Sequence, residues 1–359
     1  MIVFITNPAD MTRVGMISDF KSLIWTERWG SVGDFEMVVI DRPEYRQLKP
    51  GNIFELNREG TTAMMLETSE RSVTTTDHII TFKGRSIEIV ADYVFLQKTS
   101  IYKGSTESCA HKLFTSALHY DTGNHAFAKD LDLSLFNTFL GSYGTTNLIT
   151  YQTDDTSVLK QYHSLLSITL SGYRVQRSNT PGSFNYSFDV ITDRPRENDK
   201  VFFSASLDDF ESFSILKSIS TYRNVVYVRY TNLDGREQYM AVYNSQYRSG
   251  TALPWEMGRR MYILDYTDEK YQEYESYADF TASLVNMANR DLAEKAFQNV
   301  FDGKLNPVSR YSFPRDYKLG DLVPVLSDSE KYTALITEYI ISATTNSIEE
   351  YPTLHFMSA

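Results

Sequence analysis

Two short stretches far apart in this chain follow one pattern, and that repetition limits the folds open to it. "LKPGNIFEL" at 48 to 56 and "YKLGDLVPVL" at 317 to 326 each run Lys, any residue, Gly, Asn or Asp, then an apolar strand. Sixteen residues after Gly51 comes Glu67 in "AMMLETSE", and eighteen after Gly320 comes Glu338 in "ALITEYII". "HIITFKG" then closes the first copy and "PTLHFMS" the second. Three matches in the same order predict two similar β domains near the two ends of the chain, with an insertion between them.

A chain of 359 residues exceeds what one hydrophobic core holds, since cores stop growing near roughly 250–300 residues. Its 25 Tyr and 21 Phe favour strands. Over the first 90 residues, runs such as "IVFIT", "RVGMI", "SLIWTERW", "DFEMVVI" and "NIFELN" are separated by Asn7-Pro8, Gly30, Gly33-Asp34, Pro50-Gly51 and Glu59-Gly60. That spacing predicts a small barrel or sandwich. In "DFEMVVI" the two-residue period puts Phe35, Met37 and Val39 on one face.

From about 85 to 200 the period changes. "SIEIVADYVFL", "STESCAHKLFTSALHY" and "DDTSVLKQYHSLLSITLSG" carry apolar residues three and four apart, which predicts three helices. Ser105 and Asp155 stand as N-caps and Gly172 as a C-terminal stop. "YRVQRS" and "FNYSFDVI" predict a strand pair. Residues 200 to 247 return to strands and end in a hairpin marked by Asp234-Gly235. Residues 268 to 298 predict a helix striped with Tyr274, Tyr277, Phe280, Leu284, Met287 and Ala288. The chain is expected to be mainly β with α+β insertions.

A net charge of -11 argues against a surface that grips nucleic acid by neutralising phosphates, while an acidic wall would let a DNA backbone slide past. No apolar run reaches the roughly 18 residues of a membrane span, so no stable membrane insertion is expected. The opening "MIVFIT" has neither basic flank nor cleavage site, so no export signal is expected. The single cysteine, Cys109, excludes an internal disulfide framework and a cysteine-only metal site, as suits a reducing cytoplasm.

Motifs that could carry chemistry are weak. Asp121-Thr122-Gly123 spells the aspartic-protease triad but is followed by Asn124 and preceded by His119-Tyr120, which predicts a turn. Ser157-Val158-Leu159-Lys160 spells S-x-x-K without its Ser-Asp-Asn and Lys-Thr-Gly companions, which predicts a first helical turn. His78, His111, His119, His125, His163 and His355 lack zinc-ligand spacing. Neither catalytic residues, a metal nor a cofactor is expected. Trp25 and Trp29 could form a carbohydrate-stacking pair; packing or subunit contact, with Phe35, is the expected role.

The opening stretch carries a further signal. "SLIWTERWGSVGDFEMVV", "LKPGNIFEL", "MLETSE" and "FKGRSIEIVADYVFL" together resemble the N-terminal signature of hub proteins of long-tailed phage tail tips, a group that includes siphophage Gp37-like tail proteins. Gly33-Asp34-Phe35-Glu36, Lys49-Pro50-Gly51-Asn52 and Gly84-Arg85-Ser86 match its motifs, as do "FDVITDRPREND", "KVFFSASLDDFESFSILKS" and "DYKLGDLVPV" later. His163-Ser164-Leu165-Leu166 stands where the pattern has a Trp.

The resemblance implies a first β-barrel hub domain over 1–95, a mixed α/β middle domain over 96–200, a second barrel from 201–250 and 301–359, and a helical insertion over 251–300. It implies a homotrimer of pseudo-sixfold symmetry in the virion tail tip, made in the host cytoplasm. Implied partners are a distal tail protein ring, the tape-measure protein and tip or receptor-binding fibre proteins, with DNA only in passage. The chain closes with its second barrel and is expected to be the hub alone. A cell-wall-degrading or a carbohydrate-binding tail protein is the alternative.

Overall fold

The computed structural model describes residues 1–359 other than 11, 59–60, 96–99, 119–135, 139–147, 154–155, 170, 178–185, 192–195, 199, 245–258, 269–273, 275, 307–309, 328–329 and 357–359. The chain opens with β1 (Val3–Thr6), β2 (Arg13–Ile17), β3 (Ser22–Arg28), β4 (Asp34–Ile40), β5 (Ile53–Leu56), β6 (Met64–Val73) and β7 (His78–Ser86). They pair in the order β2-β1-β5-β6-β7-β4-β3, each antiparallel to its neighbour. Alternation does the sorting: Phe35, Met37 and Val39 are buried, and Glu36 and Val38 face the other side.

The middle region holds β8 (Ile101–Ser105), α1 (Thr106–Leu118), β9 (Phe136–Thr138), β10 (Leu148–Gln152), α2 (Val158–Ser167), β11 (Gly172–Arg177) and β12 (Tyr186–Ile191). Two of the three expected α-helices form. "SIEIVADYVFL" is instead a tight 3-10 segment, Ile87–Tyr93, that tucks Ile87, Ile89 and Ala91 under α2. Ser157, not Asp155, caps α2, accepting from Lys160 N–H. Gly172 opens β11 and does not stop the helix.

Then follow β13 (Arg196–Glu197), β14 (Phe203–Ser204), β15 (Phe210–Ser218), β16 (Val225–Thr231), β17 (Glu237–Tyr243), β18 (Met261–Tyr266), α3 (Tyr277–Glu294), β19 (Gln298–Leu305), β20 (Asp321–Ser327), β21 (Glu330–Thr344) and β22 (Ile348–Phe356). The hairpin β16–β17, grouped with the second barrel on sequence, leaves that sheet. It pairs with β18 and packs Val226, Val228 and Val242 on Phe280, Leu284, Ala288 and Leu292 of α3. A lone helix stripe cannot bury itself, so the insertion carries its own three-stranded cover. Its loop is the five-residue 232–236, with Asp234-Gly235 inside it and not a two-residue turn.

The repeated sequence is a repeated hydrogen-bond pattern. Lys49 O accepts from Asn52 N at 3.0 Å, and Lys318 O from Asp321 N at 3.2 Å. The side chain returns the bond: Asn52 Oδ1 takes Lys49 N–H at 2.8 Å, and Asp321 Oδ2 takes Lys318 N–H at 2.9 Å. The third turn residue needs positive φ, 96° at Gly51 and 82° at Gly320, hence glycine. Gly51 N–H then donates to Leu66 O and Gly320 N–H to Ile336 O. One residue later each long strand bulges, at Glu67 in β6 and at Thr337 in β21. Glu67 and Glu338, matched on sequence, are therefore not equivalent; Glu338 corresponds to Thr68.

The two units are not separate bodies. Strand order runs β5-β6-β7-β4-β3 in the first and β20-β21-β22-β19-β15 in the second, and β3 also pairs with β21. Among the described residues both units thus lie in one fourteen-stranded sheet.

Candidate functional site: the junction between the two β units

Two-residue alternation puts Leu23, Trp25 and Glu27 of β3 on the core face. Trp25 has no exposed surface; its ring lies 5.5 Å from Phe35, which lies 5.1 Å from Phe54, itself 5.7 Å from Phe82. Its indole donates from Nε1 to Glu27 Oε1 at 2.7 Å. Glu27 also accepts from Thr62 N–H, at 2.9 and 3.1 Å on its two oxygens, yet burial raises its pKa. A carboxylate in an apolar core needs such donors, because an unmatched charge there is costly.

β21 lies along the other edge of β3, from Arg28↔Glu338 to Ser22↔Thr344. Tyr339, Ile341 and Ala343 enter the core that holds Trp25. Ion pairs flank its Arg28–Glu338 end. Arg28 bonds Glu338 through Nε at 2.7 Å and also pairs with Asp34. Arg58 bonds Glu350 at 2.6 Å, and Glu350 also accepts from the Tyr339 hydroxyl. Partly exposed pairs of this kind contribute at most about 1 kcal/mol each, so buried apolar surface decides the strength of the junction.

Trp29 stands one residue beyond β3. Its N–H donates to Thr337 O at 2.7 Å, and its ring fills the space between Gly172 and Gly320. A Cβ on either glycine would stand 2.5 Å from ring carbons. Trp29 therefore joins β3, the middle region and the repeated turn of the second unit. Trp25, Trp29 and Phe35 all pack inside one chain, and the two indoles present no shared open face for a sugar ring.

The remaining candidates are placed plainly. Ser157 caps α2 and donates to Asp92, which accounts for the S-x-x-K spelling. His163 stacks on Tyr173 with Nε2 2.9 Å from its hydroxyl, and burial lowers its pKa to about 4, so it is neutral near pH 7. Burial raises the Cys109 thiol, which removes thiolate character. Among the described residues, no three His, Cys, Asp or Glu side chains gather to hold a metal. Asp121-Thr122-Gly123, His119 and His125 lie outside the described residues.

Sequence reasoning missed the buried acids. Glu27 was legible as a charge two residues from Trp25, on the face that should be apolar. Glu88 accepts from Ser86 and from Tyr173 at 3.2 Å, its Oε2 has no partner, and burial raises its pKa from 4.5 to about 7. The folded state therefore holds this proton more tightly than the unfolded one. Stability from this group is full below pH 4.5 and lost as pH rises through about 7. Relative to Glu88→Gln, the unsubstituted chain should lose up to about 3 kcal/mol between pH 4 and pH 8. Urea melts of both across that range check this; a pH-independent difference would remove Glu88 as the cause.

The family model described as Siphovirus ReqiPepy6 Gp37-like protein matches residues 2–351. No curated protein matches the chain in sequence. Among solved structures, prophage tail protein gp18 from Listeria monocytogenes EGD-e aligns with TM-score 0.59 at 11% identity, over 99% of this chain and 94% of that one. A tail protein from Neisseria meningitidis MC58 aligns with TM-score 0.58 at 9% identity, over 98% and 95%. The 43 kDa tail protein of prophage MuSo2 from Shewanella oneidensis gives 0.56 at 10%, over 99% and 98%. At such identities the likeness is one of fold.

Proposed function

Because the chain belongs to the Siphovirus ReqiPepy6 Gp37-like family of siphovirus tail proteins, we propose that it is the structural hub of a long-tailed phage's tail tip and works as a homotrimer. The observation that carries this reading is the duplicated unit: one chain holds two copies of the same turn, bulge and strand order in one sheet. Three such chains present six similar units, so a threefold hub offers near-equivalent patches to a sixfold ring. That ring is the distal tail protein of the tail tube. The opposite face carries tip or receptor-binding fibre proteins.

The hub encloses a passage occupied first by the tape-measure protein and then by DNA in transit. A net charge of -11 suits a wall that does not trap a polyanion. The role is mechanical and needs no reaction; Ser157 as a helix cap and the internally packed tryptophans fit it better than hydrolysis or glycan stacking. Light scattering on the chain alone and with its distal tail protein is expected to give a hub mass three times 41.3 kDa. A hub that remains a single chain within the assembled ring would sink the proposal.

A further inference from the structure

We infer that neighbouring chains join by strand addition, β15 of one chain lying antiparallel along Thr68–Val73 of β6 in the next, in the register that β3 and β21 use within one chain. The inference rests on the trimeric reading above and names the surface that would make it.

Its basis is a residue-by-residue equivalence. From the long strand outward, the first unit pairs Leu66 with Gly84, Gly84 with Phe35 and Phe35 with Trp25. The second pairs Ile336 with Leu354, Leu354 with Gly303 and Gly303 with Phe213. Phe213 thus stands where Trp25 stands, and β15 is the counterpart of β3. Even the closing turns agree: Thr74 N–H donates to Asp77 O and Thr344 N–H to Ser347 O, both at 2.8 Å.

Each unit therefore owns a strand that gives an edge, β3 or β15, and a long strand that receives one, β21 or β6. Before its bulge the long strand takes a partner on that edge, β20 on β21 and β5 on β6. After the bulge β21 takes β3. Among the described residues no strand lies on the matching edge of β6, nor on the far edge of β15.

Among the described residues one giving and one receiving edge remain, and within a chain they do not pair: six strands lie between them in the sheet order. Open ladder edges attract strands. Contacts of this head-to-tail kind close into rings when the rotation permits.

Surface chemistry agrees. Trp25 is fully buried in a core that Tyr339 and Ile341 of β21 help to form, whereas Phe213 is 43% exposed, with Ile215 and Leu216 also open beside it. The transferred register sets Phe213 opposite Arg71, Ser214 opposite Glu70 and Ile215 opposite Ser69. An apolar giver on a polar receiver differs from the dry junction inside the chain and suits a joint made between folded chains.

Cysteines at Glu70 and Ser214 in one chain test this, because both positions are exposed and the native Cys109 is buried. Directly paired residues have the Cα separation a disulfide accepts. Mild oxidation of Glu70→Cys/Ser214→Cys is expected to shift the non-reducing gel band to covalent dimers and trimers that collapse on reduction. Glu70→Cys/Ser218→Cys, displaced by about 13 Å along the strand, should stay monomeric. A trimer by light scattering with no cross-link at the first pair overturns the strand pairing and leaves the trimer standing. A single-chain mass with no cross-link overturns both.

Discussion

Replacing Trp25 with alanine is expected to destabilise the chain by about 4 kcal/mol, the middle of the range for truncating a buried aromatic. The indole is fully buried in a core to which Phe35 of the first unit and Tyr339 and Ile341 of the second belong, so truncation leaves a cavity in a core that two units share. It also removes the donor to Glu27, a carboxylate buried in the core, where burial raises its pKa. Trp25→Phe separates these effects. It keeps most of the volume and loses the N–H, so about 1–3 kcal/mol should remain, the cost of one lost hydrogen bond to a buried carboxylate that keeps its Thr62 N–H donor. Guanidinium melts followed by circular dichroism and by light scattering measure both. A loss below about 1 kcal/mol for Trp25→Ala would mean that the two units do not depend on a common core.

The second large effect sits in the repeated turn, where its copies differ. Alanine at Gly51 or Gly320 meets the same strain from positive φ, about 1–2 kcal/mol. At Gly51 the added methyl has nothing within 4 Å; at Gly320 it stands 2.5 Å from the Trp29 ring, which Gly172 blocks on the other side. Overpacking should add about 1–3 kcal/mol at Gly320 alone. In a Trp29→Ala background the two glycine variants should cost the same, and the coupling in that cycle is the overpacking term. Equal costs in the native background would show that the indole can move aside.

Much of this organisation was legible in the residues. The repeat announced two related units, and the alternation in "DFEMVVI" gave the buried face correctly. What was hidden has physical causes. A bulge inserts one residue without a compositional mark, so Glu67 and Glu338 looked equivalent although Thr337 is the bulged residue. β16 and β17 read as strands of the second unit because strand character is local, while the choice of partner depends on the apolar face of α3. The Trp25–Glu27 bond and the β3–β21 pairing join parts of the chain that no periodicity connects. Trp29, expected to serve packing or subunit contact, is held by two distant glycines whose role is to be small, which no local pattern marks.

The antiparallel ladder between β3 and β21 has a mechanical meaning. Its bonds lie side by side across the strands, so a pull along the strand direction loads them all together and meets the shear strength of the whole set. A pull across the sheet would have to peel them while also opening the core around Trp25. The two units of one chain therefore form a single stiff girder. If such chains close into the proposed ring, any change of its bore has to come from tilting whole chains or from slip at the seams where one chain meets the next.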